Sequence, residues 1–167
     1  YQNIEYIIID AGSTDGTIEV IKSFKTHISY FISETDKGIY DGMNKGIRAS
    51  TGDLIGILNS DDFYPNNFIL SNVAKTFISN KCDAVYGDLV YVKDYDIKKI
   101  VRYWQAGNYS SLKIKNGWML PHPTFFVRKK IYDRFGLYNT ELKNAADYEM
   151  ILKLLYKENI SVKYIPM

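Results

Sequence analysis

The fold follows from one stretch of sequence, Asp53-Leu54-Ile55-Gly56-Ile57-Leu58-Asn59-Ser60-Asp61-Asp62, in which a short apolar run ends in two adjacent acids. A run of this length, with β-branched residues and Gly52 before it, predicts a strand buried on both faces of a sheet. The carboxyl end of such a strand is where open α/β sheets bind their ligands. Adjacent carboxylates repel each other unless they face water, a cation or a hydrogen-bond donor. Two interpretations therefore stand: Asp61 and Asp62 hold a divalent metal that carries phosphates, or they cap the turn into a helix with Pro65 near its first position.

Length and composition favour one globular domain over residues 1–167. The chain has 167 residues and 46% of them are hydrophobic, which is typical of a folded core. With 21 basic and 19 acidic residues, the charge is too balanced to predict nucleic-acid binding. Cys82 is the single cysteine, so the sequence has neither an internal disulfide nor a multi-cysteine metal site.

We expect a cytoplasmic location, with association at the inner face of a membrane left open. The sequence has no apolar stretch near the length of a membrane span, so such association would be peripheral. Residues 5–10 read as a central buried strand, which needs a parallel neighbour on each side. We therefore expect an earlier strand and helix, and a C-terminal end, to be missing from this domain.

Strand and helix patterns alternate along the chain, which is typical of an α/β domain with a mostly parallel, Rossmann-like sheet flanked by helices. The predicted strands are 5–10, 27–34, 53–58, 84–92 and 121–127, and the predicted helices begin near Ile18 and cover 36–49, 66–80 and 145–155. The stretch 94–115 fits either an edge hairpin or a mobile loop.

Acidic residues follow several of the predicted strands. Asp10, Glu34, the pair Asp61 and Asp62, and Asp88 would lie along one edge, because parallel strands present their carboxyl ends together. Oxygen ligands without a His or Cys cluster favour Mg²⁺ or Mn²⁺, which complete their shell with water and substrate phosphates. The edge therefore predicts a nucleotide diphosphate site, with Asp10 suited to a ribose hydroxyl or a pyrimidine base.

Three ordered motifs carry a family resemblance. They are Ile7-Ile8-Ile9-Asp10-Ala11-Gly12-Ser13-Thr14-Asp15-Gly16-Thr17, then Glu34-Thr35-Asp36-Lys37-Gly38-Ile39-Tyr40-Asp41-Gly42-Met43-Asn44-Lys45-Gly46, then Leu58-Asn59-Ser60-Asp61-Asp62. With Tyr86-Gly87-Asp88, Pro121-His122-Pro123-Thr124 and Ala146-Asp147-Tyr148-Glu149, the chain resembles the family 2 glycosyltransferases of the GT-A fold. The resemblance implies an inverting transferase that moves a sugar, commonly from a uridine diphosphate sugar, to an acceptor hydroxyl.

The resemblance also implies roles for individual residues. Asp10, Asp36 and Lys45 match nucleotide-contacting positions. The segment from Asn59 to Asp62 matches the metal-binding DXD motif, with Asn59 in place of its first Asp, so that Asp61 and Asp62 are the expected ligands of Mn²⁺ or Mg²⁺ and Asp61 also contacts the nucleotide sugar.

The catalytic base implied by the resemblance is Asp147. Ala146 stands before it where the family more often has Glu. The expected substrates are a nucleotide-sugar donor carrying a hexose or N-acetylhexosamine and a saccharide or lipid-linked saccharide acceptor, in polysaccharide or glycolipid biosynthesis.

Several alternatives stand beside this interpretation. The chain could be a non-catalytic nucleotide-sugar binding module or a metal-dependent nucleotidyltransferase. His122 either contacts the donor diphosphate or the metal, or is a hydrogen-bonded structural group. Asp147 could merely cap its helix. Trp118 is a candidate for the acceptor side, and Glu149 with Lys153 is expected to form a solvent-facing helix pair.

Overall fold

The computed structural model describes residues 1–94 and 96–166. The strands are β1 Ile7–Asp10, β2 Tyr30–Ser33, β3 Leu54–Gly56, β4 Ala84–Gly87, β5 Leu89–Lys93, β6 Asp96–Trp104, β7 Phe126–Arg128 and β8 Val162–Ile165. The α-helices are α1 Thr17–Ser23, α2 Ile39–Ala49, α3 Ile69–Asn80, α4 Ser111–Lys115, α5 Lys129–Phe135 and α6 Ala146–Leu152. Two 3₁₀ turns cover Lys25–His27 and His122–Thr124, and a π-helical turn, Lys153–Lys157, extends α6.

The predicted α/β fold, with sheets and flanking helices, is confirmed, but the expectation of a mostly parallel sheet is wrong: among the described residues the strands form separate sheets, and three of the five strand pairings are antiparallel. β1 pairs with β2 in parallel, and β4 pairs with β8 in parallel. β7 lies between β3 and β4 and runs antiparallel to both, in the order β3-β7-β4-β8. Since β3 and β4 both oppose β7, they point the same way and end at the same edge of this sheet.

The strand predicted over 53–58 is shorter than expected, and it is not buried on both faces. Only Leu54–Gly56 is extended with a partner, and Ile55 is its one buried residue. Gly56 faces the ring of Phe126 on β7: a Cβ at position 56 would lie 2.3 Å from the ring. The glycine therefore makes room for a neighbouring side chain and adds none of its own to the core.

Helix α2 packs against β1 through small residues. A Cβ at Gly46 would lie 3.5 Å from the side chain of Ile9, and Gly42 also approaches it. The same helix contacts the segment before α6, where Tyr40 and Asn44 meet Tyr138.

The core surrounds the four-stranded sheet. Its largest fully buried side chains are Tyr86, Phe77, Leu120, Met150, Ile151, Leu154 and Leu155. The stretch 94–115 contains one strand of a hairpin, β5–β6, and the short helix α4. No helix in the described ranges 1–94 and 96–166 is long and apolar enough to cross a membrane.

Candidate functional site

Asp10 organises the loop that follows β1. The carboxylate is nearly buried and accepts hydrogen bonds from the backbone N–H groups of Gly12 and Ser13, at 3.0 and 2.9 Å, and from the hydroxyls of Ser13 and Ser33. The Ser13 and Ser33 hydroxyls, which bond the ionised form, lower the pKa of Asp10 to about 2. Asp10 is thus a fixed negative charge that joins the ends of β1 and β2.

Lys45 extends from α2 to the end of β2. Its Nζ lies 2.9 Å from Glu34 Oε1 and 3.7 Å from Asp41 Oδ2. Hydrogen bonding to Glu34 raises the pKa of Lys45, so the amine stays charged. Asp36 accepts a hydrogen bond from the Gly38 N–H at 2.9 Å and orders the entry to α2. The negative charge of Asp36 also raises the pKa of Lys45, so the two side chains lie in the same part of the surface.

The segment after β3 forms a closed turn. The Asn59 side-chain amide donates to Asp62 Oδ2 at 3.0 Å, and the Asp62 N–H donates to the Asn59 carbonyl at 3.1 Å. An aspartate at position 59 would repel Asp62 instead, so Asn59 gives the turn a neutral donor. Asp61 is exposed beside it.

The helix-capping interpretation of Asp61 and Asp62 is wrong. Helix α3 begins at Ile69, well past Pro65, and no side chain caps its first turn. The two carboxylates instead lie in the loop between β3 and α3. Asp61 and the second oxygen of Asp62 are carboxylate donors of the kind that Mg²⁺ and Mn²⁺ accept.

His122 lies close enough to Asp62 of this turn and to Asp147 of α6 to be influenced by both charges. Burial lowers the pKa of His122, while the negative charges of Asp147 and Asp62 act in the opposite direction. The imidazole Nε2 hydrogen-bonds the Tyr138 hydroxyl at 2.8 Å. This contact agrees with the interpretation of His122 as a hydrogen-bonded structural group. Its Nδ1 has no hydrogen-bond partner in the described part of the chain.

Asp147 does not cap its own helix. The residue before α6 is Ala145, which adopts a left-handed conformation with φ 66°, and no side chain bonds the helix end. Asp147 Oδ1 instead accepts a hydrogen bond from the Tyr40 hydroxyl of α2 at 2.9 Å. Ala146 is fully buried in the core, a place that would strip water from a glutamate carboxylate.

Three residues that support this site were missed by the sequence reasoning. The Tyr40 ring stacks on Tyr138, with centroids 5.9 Å apart and planes at 20°. Asn44 is 3% exposed, and its amide bonds both backbone groups of Tyr138: Nδ2 donates to the carbonyl at 2.8 Å and Oδ1 accepts from the N–H at 2.9 Å. The sequence signal for this contact is the spacing of Tyr40 and Asn44, which are four residues apart and so lie on one face of helix α2.

Two other expected residues have structural contacts. Asp88 accepts hydrogen bonds from the Tyr164 hydroxyl at 2.7 Å and from the Ala106 N–H at 2.9 Å. Trp118, the expected acceptor-side residue, donates from Nε1 to the Ala106 carbonyl at 3.0 Å. The predicted pair of Glu149 with Lys153 is wrong. Glu149 Oε2 is buried and has no hydrogen-bond partner within the described residues, and no ion pair joins these two side chains there.

The described ranges contain no group of three or more His, Cys, Asp or Glu side chains placed to hold a metal ion. A cation at Asp61 and Asp62 would therefore take its remaining ligands from water or from a substrate. That arrangement fits Mg²⁺, which usually binds through one or two carboxylates and substrate phosphates.

A family model and a curated relative both match this chain, and both are glycosyltransferases. The sequence model of the family Glycosyl transferase family 2 matches residues 1–138 of this chain. A Mycobacterium tuberculosis protein named PGL/p-HBAD biosynthesis glycosyltransferase is 26% identical over 168 residues, which is 98% of this chain and 62% of that protein. This chain thus spans about three fifths of the length of that relative.

The fold is also found among solved structures. Staphylococcus aureus TarS, residues 1–349, superposes with a TM-score of 0.75 at 19% identity, covering 96% of this chain and 48% of that fragment. The same fragment, TarS 1–349, in complex with UDP-GlcNAc superposes with a TM-score of 0.70 at 18% identity, covering 98% of this chain and 49% of that fragment. At this level of identity the likeness concerns the fold.

Proposed function

The chain belongs to glycosyl transferase family 2, and from this premise we propose that it transfers a sugar from a nucleotide diphosphate sugar to an acceptor hydroxyl with inversion. The observation that carries the proposal is the position of Asp147. One of its oxygens is held by Tyr40, and the other accepts no hydrogen bond within the described residues. A carboxylate fixed at one oxygen and free at the other is suited to take a proton from an acceptor.

The proposed reaction is a single displacement. The acceptor oxygen forms a bond to the anomeric carbon as the bond to the donor phosphate breaks, and the nucleoside diphosphate leaves with the bonding electrons. The acceptor proton passes to the free oxygen of Asp147. Attack on the face opposite the leaving group inverts the anomeric centre. The Tyr40 hydroxyl fixes the rotamer of Asp147, which keeps its free oxygen in one place through the reaction.

We propose that the donor lies across the edge formed by three loops. Asp36 and Lys45 would contact the nucleotide, and Asp10 would hold the Gly12 and Ser13 backbone against it, since its own oxygens are already bonded by four donors. His122 would present Nδ1 to the diphosphate. A uridine nucleotide is the proposed donor class, on the strength of the family and of the UDP-GlcNAc complex of TarS.

A divalent cation, Mn²⁺ or Mg²⁺, would be held by Asp61 and Asp62. Bound there, it would stabilise the negative charge of the departing diphosphate. Asn59 holds Asp62 in position through the bond at 3.0 Å. The acceptor would be a saccharide or lipid-linked saccharide, in polysaccharide or glycolipid synthesis. The name of the mycobacterial relative supports this class, because it places that protein in PGL/p-HBAD biosynthesis.

Calorimetric titration with a panel of nucleotide sugars, with and without Mn²⁺, tests the proposal together with an assay of donor hydrolysis. We expect Mn²⁺-dependent binding of uridine diphosphate sugars and slow release of the sugar. The variant Asp147→Asn should still bind the donor but lose turnover. Asp133→Asn, which changes an exposed Asp on α5, is the matched control and should behave as the parent.

Each part of the proposal has its own contrary result. If Asp61→Ala/Asp62→Ala bound the donor as tightly as the parent in Mn²⁺, the metal site would lie elsewhere. If Asp147→Asn kept the parent rate, another group would be the base. Donor binding without turnover in the parent would instead support a non-catalytic nucleotide-sugar binding module.

A further inference from the structure

The hairpin formed by β5 and β6 exposes apolar side chains on a projecting element. Every residue of β6 from Asp96 to Tyr103 is exposed. Ile97, Ile100 and Val101 are 62%, 58% and 60% exposed. Because consecutive residues of a strand point to opposite faces, neither face of β6 is covered. These apolar side chains therefore do not pack into a hydrophobic core within the described residues. An isolated two-stranded hairpin is at best marginally stable in water.

The same hairpin is positively charged. It carries four basic side chains, Lys93, Lys98, Lys99 and Arg102, and two acidic ones, Asp94 and Asp96. None of the basic side chains has an ion-pair partner in the part of the chain that the structure describes. Arg102 lies over the rings of Tyr91 and Trp104, at 5.3 and 5.5 Å, and the lysines extend into solvent. Apolar and cationic groups are therefore interleaved along one exposed element.

The base of the hairpin is held at the edge that carries the candidate site. Asp88 joins β4 to β5, and it accepts hydrogen bonds from the hydroxyls of Tyr103 and Tyr164. β3 and β4 end at the same edge, and the segment that contains Asp61 and Asp62 follows β3. The nine residues of β6 extend up to about 30 Å. The hairpin thus starts from the edge of the sheet at which β3 and β4 end.

We infer that the β5–β6 hairpin inserts into the headgroup region of an anionic membrane. Apolar side chains with basic neighbours are the combination that binds anionic lipid surfaces. A lipid surface also fits the exposure of β6 on both faces, because lipids can contact an inserted hairpin from every side. A protein partner would need a continuous face of about 800 Å². Membrane docking here would turn the candidate site toward acceptors held in the membrane, although the inference itself does not depend on the transfer reaction.

Sedimentation with lipid vesicles tests the inference. We expect the full chain to sediment with vesicles of phosphatidylcholine and phosphatidylglycerol at 3:1 and to stay in solution with phosphatidylcholine alone. Lys98→Ser/Lys99→Ser should lower the partition coefficient roughly 30-fold, since each lysine near an anionic surface contributes about 1 kcal/mol. Ile97→Ser/Ile100→Ser should lower it about tenfold or more, because two apolar side chains no longer leave water.

The controls carry the same changes elsewhere on the surface. Lys22→Ser/Lys75→Ser removes two exposed lysines from helices α1 and α3, and Ile78→Ser removes an isoleucine that is 77% exposed. These variants should sediment as the parent does, and all variants should keep its thermal midpoint and donor hydrolysis.

Three results would overturn the inference. The parent could fail to sediment with anionic vesicles. The control variants could lose as much sedimentation as the hairpin variants, or the hairpin variants could sediment as the parent does. If light scattering showed that the parent self-associates and the hairpin variants do not, the hairpin would be a contact between copies of the chain instead.

Discussion

Replacing Asn44 by alanine tests whether helix α2 holds the candidate site in place. The change removes the two hydrogen bonds to the Tyr138 backbone, at 2.8 and 2.9 Å, and leaves a buried N–H and a buried carbonyl without partners. Each buried group left unpaired costs about 1–3 kcal/mol, so the expected loss of unfolding free energy is about 2–6 kcal/mol. In a chain of this size, 3 kcal/mol corresponds to a fall of about 6–12 °C in the thermal midpoint.

Thermal unfolding followed by circular dichroism measures this loss. The matched control is Asn80→Ala on α3, where the side-chain amide donates to the Thr76 carbonyl at 3.0 Å on an exposed surface. That variant should change the unfolding free energy by about 0.5 kcal/mol or less. If Asn44→Ala lowered the midpoint by no more than Asn80→Ala, the bonds to Tyr138 would not stabilise the fold as argued.

A second substitution separates hydrogen bonding from packing. Asn44→Asp keeps the shape of the side chain but faces the Tyr138 carbonyl with a carboxylate oxygen, so at pH 7 it should destabilise at least as much as alanine. A protonated carboxyl can donate to that carbonyl. Protonation is favoured in the folded state, so Asn44→Asp should regain stability relative to Asn44→Ala as the pH falls from 7 to the unfolded-state pKa of about 4. A constant difference between the two variants over this range would refute the hydrogen-bond explanation.

Three further changes test other contacts. Tyr40→Phe keeps the ring but removes the hydroxyl that bonds Asp147; kcat for donor turnover should fall roughly 10- to 100-fold with donor KM unchanged, as measured by steady-state kinetics. Asp10, with its pKa at about 2, stabilises the fold above about pH 4 and loses that contribution as the pH falls toward 2; Asp10→Asn should flatten this part of an acid-unfolding curve. Gly56→Ala places a methyl group 2.3 Å from the Phe126 ring and should cost about 1–3 kcal/mol in urea unfolding.

The sequence predicted the alternation of strands and helices well, because that pattern depends on local spacing of apolar residues. It did not predict the direction of β7, since an apolar strand reads the same in either orientation. It also overestimated the strand over 53–58. The apolar run there is longer than the paired segment, which ends at Gly56 opposite Phe126 of another strand. Contacts between distant segments override a local pattern in both cases.

In the candidate site, too, local features can be predicted from the sequence and contacts between distant segments cannot. Acids that follow strands are visible in the sequence, as Asp10 and Asp62 are, whereas Asp147 in α6 is indicated only by the family resemblance. The contacts that hold the site are not visible there, because they join distant segments: Tyr40 and Asp147 are 107 residues apart, and Asn44 and Tyr138 are 94 apart. No local pattern encodes such a pair. The sequence therefore supplies the charged groups of the site, and the packing of α2 against the segment before α6 supplies their arrangement.

The substitution of Ala146 for the more usual acid follows from that arrangement. Successive residues of a helix are about 100° apart around its axis, so positions 146 and 147 of α6 face different surroundings. Ala146 is fully buried with Met150 and Ile151, whereas Asp147 faces the Tyr40 hydroxyl. A glutamate at 146 would need a buried partner in that core, and Ala146→Glu should therefore destabilise the fold by several kcal/mol. Of these two helix positions, only position 147 places a carboxylate next to α2, where Asp147 bonds the Tyr40 hydroxyl.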